Sequence, residues 1–416
     1  MPLPNPLSAK NEGTFAYHTV KERLPTIMTR ALDTFRREFK KVNASPEAEA
    51  EAKQVLALLS ELHYLMMTDK PLQPLQAIHA PDYSRWKQAI ESEERKTGQL
   101  TWFSSAWLFV ECYLYRLLAD FFLRTNCFAH YDPFESQKVH SLKANMASVK
   151  LLSRLVTEKG GSAREWLELS LWGNRCDLSL KNTTPSFQNL MSELQSLRPK
   201  IVVNETEEVV KRIDSLRHAN HVTVDYVLDN AGFELFTDLC LMLFLSRILP
   251  SSARIRIHVK SYPWFVSDVM RKDFVWMMDH LKADPEVKDF GTACSEHLAS
   301  GKWHLVDSYF WTLPYDYALM PTQEPELYRQ LQSSSLILFK GDLNYRKLLG
   351  DLDWPHATPF DEVLRQFRPS FLVVLRTNKA DLISGLSPAL EAHLPSDFLT
   401  TGEYAVVQVS TPAKRH

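Results

Sequence analysis

From residue 201 onward, short β-branched runs alternate with helical ones, and no other feature constrains the chain as much. Residues 223–228, 255–259, 303–308, 336–339, 371–375 and 404–409 have the length and composition of strands. Residues 234–249 separate the first two runs and 264–281 the next two, both with helical periodicity. Strands joined through helices pair in parallel rather than as hairpins, so a mostly parallel sheet is expected. Residues before 201 read differently. Segments 23–39 and 48–67 repeat apolar side chains at three- and four-residue intervals, among them Leu24, Ile27, Met28, Leu32 and Phe35. Segment 102–122 is apolar nearly all round, which predicts a buried helix, and 163–171 begins charged and ends apolar. The expected architecture is α/β (α+β overall). It is a three-layer sandwich with a Rossmann-like sheet over 201–416, preceded by an all-helical domain over 1–200.

Composition narrows the function. Lys plus Arg is 48 against 50 Asp plus Glu, a formal charge of −2, so no basic footprint for nucleic acid is present. The five cysteines, Cys112, Cys127, Cys176, Cys240 and Cys294, are scattered without a C-x-x-C pair. That usage fits reduced intracellular thiols and argues against a thiolate zinc site. The start MPLPNPLSAKNEG has no signal pattern, the apolar run 239–245 is too short for a bilayer, and TPAKRH carries no lipidation signal. A cytoplasmic location is expected, with the nucleus also compatible, and neither membrane nor nucleic acid as partner. Protein partners are unreadable. With no G-x-G, H-E-x-x-H or G-x-S-x-G, the dinucleotide, zinc-protease and hydrolase-elbow chemistries fall away.

In a parallel sheet the residues just after each strand gather at one edge, where open α/β sheets place ligands. The run 223–228 ends in Asp229 and Asn230, then turns through Ala231 and Gly232 into a helical segment. A helix cap accounts for either polar residue as well as a ligand role does. The second run leads past Lys260 to Ser267 and Asp268, the fourth into Lys340, Gly341 and Asp342 and on to Arg346 and Lys347, the fifth into Arg376, Thr377, Asn378 and Lys379. Acids therefore collect at two strand ends and cations at two others. Asp229, Asn230 and Asp268 suit a hard divalent cation, which takes carboxylate and carbonyl oxygen. Opposite them, Arg346, Lys347 and Lys379 suit an anion, and Gly341 lets backbone N–H groups approach it. A metal facing a phosphate grip is the layout of metal-assisted phosphoryl hydrolysis. Each piece has a plainer reading: Asp268 on a solvent-facing helix, the lysines as a solvated rim, His258 as a satisfied core histidine, the aromatics of 102–115 as helical core. The coincidence across four strand ends favours the site.

At these residues the chain resembles a known family. LDNAGFELFTDL, YPWFVSDV, FKGDLNYRKLLGD and LRTNK are similar to signature blocks of the metal-dependent damage-control phosphatases, once called domain of unknown function 89. The last block fits the R-T-x-K motif of that family's stand-alone eukaryotic subfamily III. FAYHTVKERLP, TDKPLQPL, WLFVECYLYR, LWGNRCDLSL and FWTLPYDYALMP extend the likeness from near residue 15 to Thr400. The resemblance implies one divalent metal on Asp229, Asn230 and Asp268, and a substrate contacted by Asp342, Leu343, Asn344, Tyr345, Arg346 and Lys379. It adds Glu234 as an acid near the site, orienting the Asn230 amide or the attacking water. It further implies hydrolysis of sugar phosphates, fructose 1-phosphate and related hexose phosphates, in metabolite damage control. Manganese is the expected metal, with cobalt, nickel and magnesium as alternatives. The branch is also credited with S-adenosylmethionine-dependent carboxyl methylation of proteins, the alternative function. Against it, Ala231-Gly232 is a poor substitute for a glycine-rich methyl-donor turn.

Overall fold

The computed structural model describes residues 2–41, 45–158, 160–179 and 187–412. The side chain of Cys176, part of the LWGNRCDLSL block and the last four residues of TPAKRH lie outside what is described. Seven strands form one sheet: β1 Ile201–Asn204, β2 Thr223–Val227, β3 Arg254–Val259, β4 Trp303–Asp307, β5 Leu336–Lys340, β6 Leu372–Thr377 and β7 Ala405–Ser410. Their order is β1-β7-β6-β5-β2-β3-β4. Pairing is parallel from β6 through β5, β2 and β3 to β4. β7 runs antiparallel to β6, and β1 lies parallel to β7 at the edge. Six strands coincide with the expected runs to within a residue or two. The short edge strand β1, with only four residues and no alternating pattern, was not among them.

The central strands are covered on both faces, and side chains alternate between two cores as the pleat requires. Ile337 and Phe339 of β5, Leu372 and Val374 of β6 and Val227 of β2 pack into one core. Leu336 and Leu338, Val373 and Leu375, and Val224 and Tyr226 pack into the other. The first core is shared with the N-terminal helices Leu24–Phe39, Pro46–Met67 and Trp107–Leu123. The second takes helices Met146–Thr157 and Phe233–Ile248. Trp107–Leu123 is the expected all-round buried helix, every residue of it but Leu123 lying inside. Among the described residues no helix is long and apolar enough to cross a membrane.

One expected helix is shorter than its periodicity suggests. The pattern over 264–281 predicts helix throughout, yet the helix is Arg271–Ala283 and the residues before it form an irregular loop. The Asp273 carboxylate accepts the Met270 N–H at 2.8 Å, which starts the helix there. The apolar spacing continues upstream because the loop is itself buried, so periodicity alone could not mark the boundary. His258 is a core histidine as expected, with Nε2 2.7 Å from Asp225 Oδ1.

Candidate active site

β2 passes the chain to β3 on one side, while its other neighbour, β5, opens the half of the sheet reached later. The crevice beyond the carboxyl ends of two such strands is where an open α/β sheet has room for a ligand. Asp229 and Asn230 follow β2 there, and Gly341 follows β5. The approach is close enough to require glycine. A Cβ on Gly341 would sit 2.7 Å from that of Asp229 and overlap its carboxylate, and φ is +86°.

The loop after β3 closes a third side. Phe265 and Val266 take φ of +42° and +69°, left-handed values that cost energy in a β-branched residue. The curl is held by the Asp268 N–H on the Trp264 carbonyl at 3.1 Å. It is tied to the β2 end by Ala231 N–H to Ser267 C=O at 2.7 Å and Val269 N–H to Asp229 C=O at 2.9 Å. Asn230 and Asp268 thereby face each other as an isolated antiparallel bridge. Asp268 reaches the site from this loop, not from a helix.

The amide of Asn230 has a set direction. Its Nδ2 donates to Asp229 Oδ2 at 2.7 Å and to Glu234 Oε2 at 2.8 Å, while Ser267 Oγ donates to its Oδ1. Glu234 stands behind the amide, with Lys340 Nζ 3.4 Å from its other oxygen. Lys340 is buried with Asp238 and the Ser170 carbonyl, away from the cavity. Lys260 Nζ forms an ion pair with Asp268 Oδ2 at 3.2 Å without hydrogen-bond alignment, so that buried oxygen accepts no hydrogen bond. Burial pushes the Asp229 carboxyl well above the usual carboxylate range, and the negative charges of Glu234 and Asp268 push the same way. Burial also raises Asp268, against the pull of Lys260. Two buried carboxylates, one lacking a hydrogen bond, beside an oriented amide form an all-oxygen donor set that fits a divalent cation, whose charge would favour their ionised forms.

A cavity of about 130 Å3 is lined by Asp229, Asn230 and Asp268 together with Asp342, Leu343, Arg346 and Lys379. Arg346 is fixed on three sides. Its Nε and Nη2 grip Asp351 at 2.7 and 2.9 Å, Nη1 meets Glu111, and Cζ lies 3.5 Å from the Trp107 ring centroid. Three of its five N–H donors are thus engaged and two are left for a ligand. Asp342 Oδ1 accepts from Arg376 Nε at 2.7 Å and from the Lys379 backbone N–H at 3.0 Å, so it holds the turn that carries Lys379. The helix Gly341–Leu349 turns only part of its expected substrate segment inward, because neighbours on a helix point about 100° apart. Asn344 accepts from the Tyr317 hydroxyl and donates to the Lys340 carbonyl, and the Tyr345 hydroxyl reaches Gln408. Neither lines the cavity. Lys347, expected in the anion grip, is likewise buried elsewhere, donating to the Trp311 and Leu313 carbonyls.

Sequence reasoning missed the contribution of the N-terminal helices: Arg23, Trp107 and Glu111 also line the cavity. A signal existed for Glu111. A carboxylate in the apolar first turns of a buried helix must find a partner.

The family profile of the damage-control phosphatase ARMT1-like domain matches residues 19–394. The chain belongs to that family. Damage-control phosphatase ARMT1 of Mus musculus is 39% identical over 98% of this chain and 98% of its own. That of Homo sapiens is 36% identical, covering 99% of each. A crystallised DUF89 family protein from Pyrococcus horikoshii is 14% identical with a TM-score of 0.48, over 92% of this chain and 96% of that one. Damage-control phosphatases of this family are generally dependent on a divalent metal. Among the described residues no group of three or more His, Cys, Asp or Glu side chains is arranged to hold one. The candidate set here is two carboxylates and an amide.

Proposed function

We propose that this chain is a divalent-metal-dependent phosphatase that hydrolyses sugar phosphates, with fructose 1-phosphate and related hexose phosphates as its substrates in metabolite damage control. The observation that carries the reading is that Asp229, Asn230 and Asp268 line one cavity together with Arg346 and Lys379. Asp229, Asn230 and Asp268 would hold the ion. Manganese is the expected ion, with cobalt, nickel and magnesium as alternatives. A bound cation supplies polarisation of the phosphoryl oxygen and offsets the charge that develops there. The chain's own residues do the positioning. Lys379 meets the phosphate as a charged donor, since its ammonium has no carboxylate partner among the described residues. Arg346 offers its two remaining N–H groups from a guanidinium that cannot swing away. Glu234 keeps the Asn230 amide turned so that Oδ1 remains an acceptor. Burial of both carboxylates limits water at the reacting centre. Carboxyl methylation has no observation here that favours it.

The test is phosphate release from a hexose-phosphate panel by metal-stripped protein, with each metal restored in turn, beside Asp229→Ala. Metal-dependent release that falls by roughly 10²-fold or more in the variant supports the reading. No release from any sugar phosphate with any metal would overturn it.

A further inference from the structure

The cations around the cavity are not equivalent. Arg346 is neutralised by Asp351 and Glu111, and Lys260 by Asp268. Among the described residues that line the cavity, the cations without an ion-pair partner are Lys379 and Arg23. Arg23 comes from the far N-terminal part of the chain, through an unusual turn. Residues Thr19–Arg23 form a single π-helical turn in which the Leu24 N–H bonds the Thr19 carbonyl, five residues back. Val20 and Leu24 are fully buried on either side, so the turn is anchored although the Arg23 side chain is exposed. A π turn inserts one residue into a helix and re-aims the side chains after it, and such turns recur at functional sites. Arg23 is the last residue of this turn and lines the cavity.

We propose that Arg23 is a substrate-anchoring residue: its guanidinium binds the phosphoryl group opposite Lys379, so that the N-terminal helices supply one of the two free charges matching a phosphate dianion. A phosphate monoester carries about −1.5 to −2 at neutral pH, and a guanidinium fork engages two of its oxygens at once. The inference rests on the proposed function in that both use the same cavity, but its decisive test is binding rather than turnover.

Inorganic phosphate is titrated calorimetrically into the manganese-loaded full chain, wild type, Arg23→Ala and Arg23→Lys, and KM and kcat for fructose 1-phosphate are measured alongside. Arg23→Ala is expected to weaken phosphate binding about 10- to 100-fold and raise KM similarly. Arg23→Lys recovers only part of the loss, because a point charge lacks the fork. If the alanine variant fails to fold, the lysine variant carries the test, with a smaller loss in the same direction. Phosphate affinity unchanged in both variants overturns the proposal, as does a wild-type chain that binds no phosphate. Phosphate binding that depends on Arg23, in a chain that hydrolyses no sugar phosphate, removes the phosphatase reading and leaves this one standing.

Discussion

Gly341 shows how much can rest on one missing side chain. Its left-handed φ and its contact with Asp229 both forbid a Cβ, so Gly341→Ala should cost about 1–3 kcal/mol of stability and displace the Asp229 carboxylate. Urea unfolding and manganese titration check this, and a variant with unchanged metal affinity would contradict it. Lys347 tests burial of charge. Enclosed near the Trp264 and Tyr317 rings, its ammonium is pulled down to about 8 from 10.5, mainly by desolvation. Between those values the unfolded chain binds more protons, so stability rises with pH across that window, and the penalty is fully present below about 8. Unfolding free energy measured from pH 8 to 10.5 should climb more steeply in wild type than in Lys347→Met. Parallel curves would show that the group does not titrate there.

At the level of elements, the site depends on turns that are held from behind. Arg376 does not line the cavity. It is fully buried, donates to Asp342, to the Leu382 carbonyl at 2.8 Å and to the Ala380 carbonyl at 2.9 Å, and lies over the Tyr345 ring. It therefore ties the start of the Gly341–Leu349 helix to the turn that presents Lys379. Arg376→Met removes these bonds, leaves the Asp342 carboxylate without its cation, and should destabilise the fold by about 3–5 kcal/mol. KM for substrate should rise as well, since Lys379 loses its support; steady-state kinetics on the folded fraction would show this, and an unchanged KM would refute the link. The strained Phe265–Val266 curl has a comparable part on the opposite wall. Its left-handed residues persist because backbone bonds to Asp229 and Ala231 hold them.

For the whole molecule, the buried carboxylates couple metal binding to folding. A ligand that binds only the folded state stabilises it in proportion to the logarithm of its concentration, about 2.7 kcal/mol at 100 times Kd. Manganese should therefore raise the unfolding midpoint of wild type and not of Asp229→Ala, and a chelator should reverse the gain. Equal shifts in both proteins would place the metal elsewhere. The ion pair of Glu111 with Arg346 makes the N-terminal helices part of the cavity wall, so its stability and that of the sheet are linked.

The sequence by itself determined six of the seven strands, the parallel pairing of the central five and the strand-end residues that collect at the crevice, because those follow from local periodicity and from the rule that parallel strands end on one edge. Asp229, Asn230 and Asp268 were legible for that reason, as were Arg346 and Lys379. Three things were settled only by tertiary structure. The helical phase of Gly341–Leu349 turned Asn344, Tyr345 and Lys347 away from the cavity. Long-range backbone bonds made a loop of residues whose spacing reads as helix. Arg23, Trp107 and Glu111 arrived from helices more than a hundred residues upstream of β2. Local patterns record which face of an element is apolar; they carry no record of which distant element will cover it, since that choice is made by packing across the whole chain.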